Sequence, residues 1–328
     1  MKNIITKLKI YNAKKDMKNY ILNSRKDFSE KKFNIDKYLK YEELNYNIEL
    51  FNRLFEDSLT KERKELFNKN IKKLKINKIP GECKLNNKNT GACYIPQSNE
   101  INIYGDLEND DEINHKLMHE LLHLSSSKAN GYMDGLTIST VHENGLYSTT
   151  GSGINEGYTE LLNSRYFSRK ENVTNYNQEI VIAAGIEKII GKDKMLDCYF
   201  KYTLLDLITE LKKYYGDNKY YLNLISKVDV LSYTKDINQK NLLYKNIKKE
   251  IINIYRCKLV NQLNNKEIDF KEFSKQKFFG IDLYNMYDFI YMDNANIKDM
   301  GNRYLVTNES GFIYLNKDDE YAKEYIKK

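Results

Sequence analysis

The sequence predicts an α+β fold, helical at both ends with a small sheet between. Amphipathic stretches predict the helices. "YLKYEELNYNIELFNRLFEDSL" near the start, and "EIVIAAGIEKII", "YFKYTLLDLITELKKYY" and "LLYKNIKKEIINIYRCKLV" later, all space apolar residues three and four apart. The sheet rests on "ACYIP" and "EINIY", β-rich runs separated by the turn-like "QSN", which read as a hairpin. No internal repeat or low-complexity linker divides the chain. The simplest organisation is a helical region over 1–78, an α+β core over 79–168 and a mostly helical region over 169–328.

In chain order, residues 1 to about 75 read as mostly helical, and Pro80-Gly81 breaks the pattern before the strands begin. Asp110 or Asp111 is placed to N-cap a helix that starts near Glu112 and runs to about Ser125, where acidic side chains suit the positive end of its dipole. Residues 126–153, rich in Gly, Ser and Thr, read as loop. A second helix opens after "TTGSG" and carries "INEGYTELLNSRYF". Near the end, "RYLVTNESGFIYL" reads as a hairpin turning at Asn308 to Gly311.

With 328 residues the chain is long enough for a sizeable core, and its 41% hydrophobic and 30% charged content fits a soluble globular protein. The net charge of +7 is spread along the chain, whereas a nucleic-acid binder concentrates charge in a stripe. The densest basic segment, Lys61 to Lys78, also carries Leu66, Ile71 and Leu74 at helical spacing, so it reads as the solvated face of a helix. The first twenty residues have no apolar h-region and no cleavage site. The longest apolar run, Ile180 to Ile186, is far too short for a bilayer. These features predict a cytoplasmic protein with no membrane or nucleic-acid partner. Cys83, Cys93, Cys198 and Cys257 lack CxxC spacing; Cys83 and Cys93 are placed to face each other across a hairpin, but without an export signal free thiols are expected.

The chemistry concentrates in "HELLH", residues 119–123. His is scarce, four in 328 residues, so a chance H-E-x-x-H is expected only about 0.003 times in such a chain. Residues i and i+4 share a helix face, so His119 and His123 can aim two imidazoles at one ion. Zinc favours such nitrogen ligands and, in a catalytic site, keeps one position for water. Glu120 is rotated by about 100° from His119, which puts its carboxylate beside the ion, where it can take a proton from bound water and pass it to a leaving amine. Ile113, Leu117, Leu121 and Leu124 give this helix its buried side. His115 extends the histidine column by one turn and reads as an exposed or hydrogen-bonded structural residue, with support of the metal ligands as the second reading.

The metzincin pattern would need Gly at 126 and His at 129, where the chain has Ser126 and Ala129. Downstream, "GINEGYTELL" offers Glu156 and Glu160, again four apart. HELLH followed by N-E-G-x-T-E resembles the gluzincin, or thermolysin-like, zinc metallopeptidases, over about Gly91 to Phe167. The resemblance implies a zincin catalytic core at 79–168, with a small sheet, an HExxH helix and a glutamate helix. It implies one Zn2+ per chain held by His119, His123 and Glu156, with Glu160 orienting the His119 ring and Glu120 as general base. The interval from His123 to Glu156 is longer than in thermolysin itself, and the family tolerates insertions there. The implied substrate is a peptide or protein, paired by its main chain with an edge strand, "EINIY" or "ACYIP".

A peptidase also needs a donor for the oxyanion of its tetrahedral intermediate. His142 and Tyr147, between the two motifs, are the nearest candidates, and Glu143 is a candidate anchor for a substrate α-amino group. If Glu156 is not the third ligand, Glu160, Glu143 and Asp134 are next in line. Two other functions stay open: a catalytically idle zincin-fold interaction protein, against which an intact Glu120 argues, and a regulatory protease acting on a DNA-binding partner, for which no helix-turn-helix stands out.

Overall fold

The structure is a computed structural model. It describes residues 42–80, 83–85, 88–96, 98–105, 110–127, 135–141, 147–166, 176–201, 203–279, 281–282, 296–308 and 311–317. The described residues form a mixed α+β structure, mostly helical, with small sheets. None of the described helices is long and apolar enough to cross a membrane.

Two compact units are present. The first comprises Tyr20–Glu210 with Asn218–Tyr244 and contains all the motif residues. Its described residues begin with α1 (Glu42–Phe55) and α2 (Lys61–Lys73). Three strands follow as one sheet: β1 (Lys75–Pro80), then, beyond the short pair β2 (Cys83–Leu85) and β3 (Lys88–Thr90), β4 (Ala92–Ile95) and β5 (Glu100–Gly105). The sheet order is β1-β5-β4, with β1 parallel and β4 antiparallel to β5. The expected hairpin is therefore present, with "EINIY" at the sheet centre and "ACYI" at an edge. Strand β1 was not expected, because "KINKIP" has only Ile76 and Ile79, three apart and so without strand alternation, among polar residues, as suits an edge strand ending in Pro.

Helix α3 (Asp110–Ser126) packs across this sheet, and Ile113, Leu117, Met118 and Leu121 meet Ile101 and Ile103 of β5 in one core. The helix begins at Asp110, so both aspartates lie in its first turn and not at its cap. Its C-terminus is buried, where orphan carbonyls need partners. Ser125 Oγ donates to Leu122 O and Ser127 Oγ to His123 O, at 2.7 and 2.9 Å. The Arg63 guanidinium of α2 donates to the carbonyls of Ser126 and Ser127. The basic α2 thus has an exposed lysine face, as expected, and one buried arginine that closes the HELLH helix.

Part of the expected loop is a ladder, β6 (Ile138–Val141) against β7 (Tyr147–Thr150). Helix α4 (Ser152–Tyr166) then carries the two glutamates, and α5 (Asn177–Ile190) lies along it. Arg165 and Glu187 join α4 and α5 through two hydrogen bonds of 2.9 and 2.8 Å, with both side chains fully buried. Helix α6 (Lys192–Phe200) ends on Phe200, whose ring packs with Phe51 and Phe55 of α1. "YFKYTLLDLITELKKYY" is not one helix: α6 stops at Phe200 and α7 (Leu204–Lys212) restarts where Asp206 accepts the N–H and hydroxyl of Thr203. Helix α8 (Asn218–Tyr233) and the first turns of α9 (Ile237–Asn264) complete the unit.

The second unit comprises Met1–Asn19, Leu211–Asp217 and Lys245–Lys328. Ile247, Ile251, Ile254 and Leu259 of α9 are buried, and Tyr255 stacks on Phe278. After the short α10 (Phe270–Ser274), β8 (Lys277–Phe278) pairs with β9 (Ile281–Asp282). The expected C-terminal hairpin is formed by β11 (Arg303–Asn308) and β12 (Gly311–Asn316), and β10 (Asn296–Asp299) adds a third strand. Cys83 pairs with Thr90 and Cys93 with Asn102, so the two do not face each other across one hairpin. Cys93, Cys198 and Cys257 are free thiols.

Candidate metal centre

One turn of α3 separates His119 from His123, and both rings leave the helix on the side that faces α4. Glu156 comes from the second turn of α4 to meet them. Three atoms converge: His119 Nε2 stands 3.1 Å from His123 Nε2 and 3.0 Å from Glu156 Oε2, and His123 Nε2 is 3.5 Å from that oxygen. Donors about 2.0–2.1 Å from a shared ion at tetrahedral angles stand about 3.3–3.4 Å apart, so the spacing suits a small cation. Two imidazoles and a carboxylate are also the donor types zinc takes, and among the described residues this is the group that could hold a metal ion.

Behind these donors lies a buried polar network. Glu160, one turn beyond Glu156, accepts from His119 Nδ1 at 2.8 Å through one oxygen and from His115 Nε2 at 2.8 Å through the other. This bond leaves His119 Nε2 to face the convergence point. His115 is thus hydrogen-bonded, and what it bonds is the carboxylate that holds His119. Asn163 adds an amide against His115 and donates to its backbone carbonyl at 2.9 Å. On the other side, Asn155 Nδ2 lies 3.3 Å from His123 Nδ1, and its Oδ1 accepts the Leu136 N–H at 2.9 Å.

The electrostatics follow from this packing. Burial disfavours a charged His119, but the carboxylates of Glu156 and Glu160 on its two nitrogens outweigh it and push the imidazolium up to about 10. Burial would likewise raise Glu160, yet the hydrogen bonds from His115 and His119 hold it down at about 2. Glu156 resists its own burial in the same way and stays well below the ordinary carboxylate range beside His123 and His119. With His119 favoured as an imidazolium, its Nε2 proton points at Glu156 and His123, where a cation would sit.

Glu120 differs. It is 6% exposed, and burial pushes its carboxyl up, against the opposing pull of His119, His123 and the Tyr94 N–H of β4. A carboxylate held above its usual range beside a group of candidate metal donors is suited to accept a proton.

Tyr176, at the start of α5, was not foreseen. Its ring stacks on His119 at 5.8 Å and 11°, and its phenol is hydrogen-bonded to Glu156. The charge of Glu156 and burial hold the phenol protonated, so it remains a donor. As one of 28 tyrosines, and outside both motifs, it gave no signal in the sequence. Of the expected oxyanion donors, His142 lies outside the described residues, as do Glu143 and Asp134; Tyr147 opens β7, and its side chain is not described.

Comparison with protein-family models, with curated proteins and with solved structures yields no match.

Proposed function

We propose that the chain is a zinc-dependent peptidase with a zincin-type core of the gluzincin kind. One observation carries the reading: two imidazoles and a carboxylate converge with a desolvated Glu120 beside them and Glu160 behind His119. His119, His123 and Glu156 would hold the ion. A zinc bound there supplies a Lewis acid and brings the pKa of a bound water to about 7. Glu120 takes the proton of the attacking water and returns it to the leaving amine. Tyr176, whose phenol would leave Glu156 once that carboxylate holds the ion, donates to the oxyanion that forms on the scissile carbonyl. Glu160 keeps the His119 ring aimed and its proton on the far nitrogen. An extended peptide pairs with the edge strand β4, whose Tyr94 N–H already reaches Glu120 and so ties the substrate-binding edge to the general base.

The test is hydrolysis of a fluorogenic peptide library by the zinc-loaded protein and by Glu120→Gln. The reading expects turnover in the parent and loss of at least about 10²-fold in a variant that still binds one metal ion. A Glu120→Gln protein with full activity would assign the base elsewhere.

A further inference from the structure

We infer that Asp229, on α8, is a positioning residue for Glu156, the metal donor on α4; the inference rests on the metal-centre reading above. The first N–H groups of a helix need acceptors, ordinarily supplied by a Ser, Thr, Asp or Asn side chain at the N-cap. Helix α4 cannot use that solution. The residue preceding it is Gly151, at φ +94, where an added Cβ would come 2.1 Å from the Leu136 carbonyl oxygen. Two residues on, a Cβ on Gly153 would come 2.6 Å from the Val228 carbonyl oxygen of α8. The backbones approach too closely for side chains, so the cap is missing from the local sequence.

Asp229 supplies it from 76 residues away. Its Oδ2 accepts the Gly151 N–H at 2.8 Å and its Oδ1 the Gly153 N–H at 2.7 Å. Both oxygens are engaged, and the negative charge sits at the positive end of the helix. One turn along α8, Tyr233 hydrogen-bonds the side chain of Ser152, the first residue of α4. Between them Ser232 Oγ donates to Glu179 of α5 at 2.9 Å. Helix α8 thus grips the start of α4 at Gly151, Ser152 and Gly153, and ties down α5 beside it.

Asn155 and Glu156 follow within the next turn of that fixed end. Asn155 faces His123, and Glu156 faces both histidines. Where Asp229 sets the first turn of α4 therefore decides whether Glu156 Oε2 reaches the two imidazole nitrogens. A freed helix end frays from its first turn, the turn that leads into these two residues. Asp229 touches none of the converging donors and acts through the backbone alone.

The experiment compares the full-length parent with Asp229→Asn, Asp229→Ala and a control, Leu231→Ala, which opens a cavity in the same helix without touching α4's N–H groups. Cobalt(II) is the probe: its affinity is measured by titration and its geometry by its visible spectrum. Asp229→Ala should bind cobalt about 10–100-fold more weakly. Asp229→Asn, which keeps one acceptor oxygen, should fall between and shift the spectrum. Leu231→Ala should lower the melting temperature while keeping parental affinity and spectrum. Parental affinity and spectrum in Asp229→Asn and Asp229→Ala would overturn the inference and leave the metal reading standing, and an equal loss in Leu231→Ala would reduce Asp229 to a stability role. A parent that takes up no cobalt would overturn both.

Discussion

At the scale of residues, the centre is organised by protons. His119 is pushed up to about 10 in the folded chain against an ordinary value of 6.5, so its contribution to stability is present below about 6.5 and is lost as pH rises through about 10. Glu160, held at about 2 against 4.5, contributes above 4.5 and loses that contribution as pH falls through about 2. The metal-free protein should therefore be most stable near pH 5–6 as far as these groups are concerned, and its melting temperature should fall from pH 7 to 10. Loading with zinc should remove most of the alkaline slope, because the ion replaces the His119 proton. For the same reason metal affinity should rise by about tenfold per pH unit up to about pH 10, readable by competition with a chelator. Glu160→Ala should weaken zinc by about 10–100-fold without abolishing it. Tyr176→Phe should lower kcat by about 10²–10³ with metal content unchanged. His119, Glu120 and His123 were legible because helical spacing alone places them. Glu156 and Glu160 were legible through a second motif with the same spacing. Tyr176 and Asp229 were not, because each reaches the site through tertiary packing that leaves no local pattern.

At the scale of elements, two helices hold the centre, and each is fixed at an end by a residue distant in sequence. The buried C-terminus of α3 is closed by the hydroxyls of Ser125, Ser126 and Ser127 and by Arg63 of α2. Removing that guanidinium by Arg63→Ala takes a donor from two buried carbonyls, of which Ser126 O keeps the Gly135 N–H at 3.2 Å, and should cost about 1–3 kcal/mol by chemical denaturation. The α4–α5 pair is joined by Arg165 and Glu187 in a fully dry setting. Glu187→Ala should destabilise by about 3–5 kcal/mol, whereas Arg165→Met with Glu187→Leu should recover most of the loss, because the isolated charge costs more than the pair contributes. The helices and the β4–β5 hairpin were readable from periodicity and turn residues. Strand β1 was hidden by its lysines, which suit an edge, and the β6–β7 ladder by its Ser and Thr, which resemble a loop in composition. The break between α6 and α7 was hidden by an apolar pattern that continues through it.

At the scale of the molecule, the unit that holds the centre draws on residues from Arg63 to Tyr233, so a core bounded at 79–168 contains the donors but not Arg63, Tyr176 or Asp229 around them. That arrangement predicts that metal binding and global folding are linked: the zinc-loaded protein should melt at a higher temperature than the chelated one. The account stands first on whether His119, His123 and Glu156 hold an ion at all. The direct measurement is the metal content of the purified, reconstituted protein beside Glu156→Ala, by elemental analysis. The account predicts close to one zinc per chain in the parent and a clear loss in the variant. A parent that holds no zinc after reconstitution, or a variant that keeps it, would contradict the account.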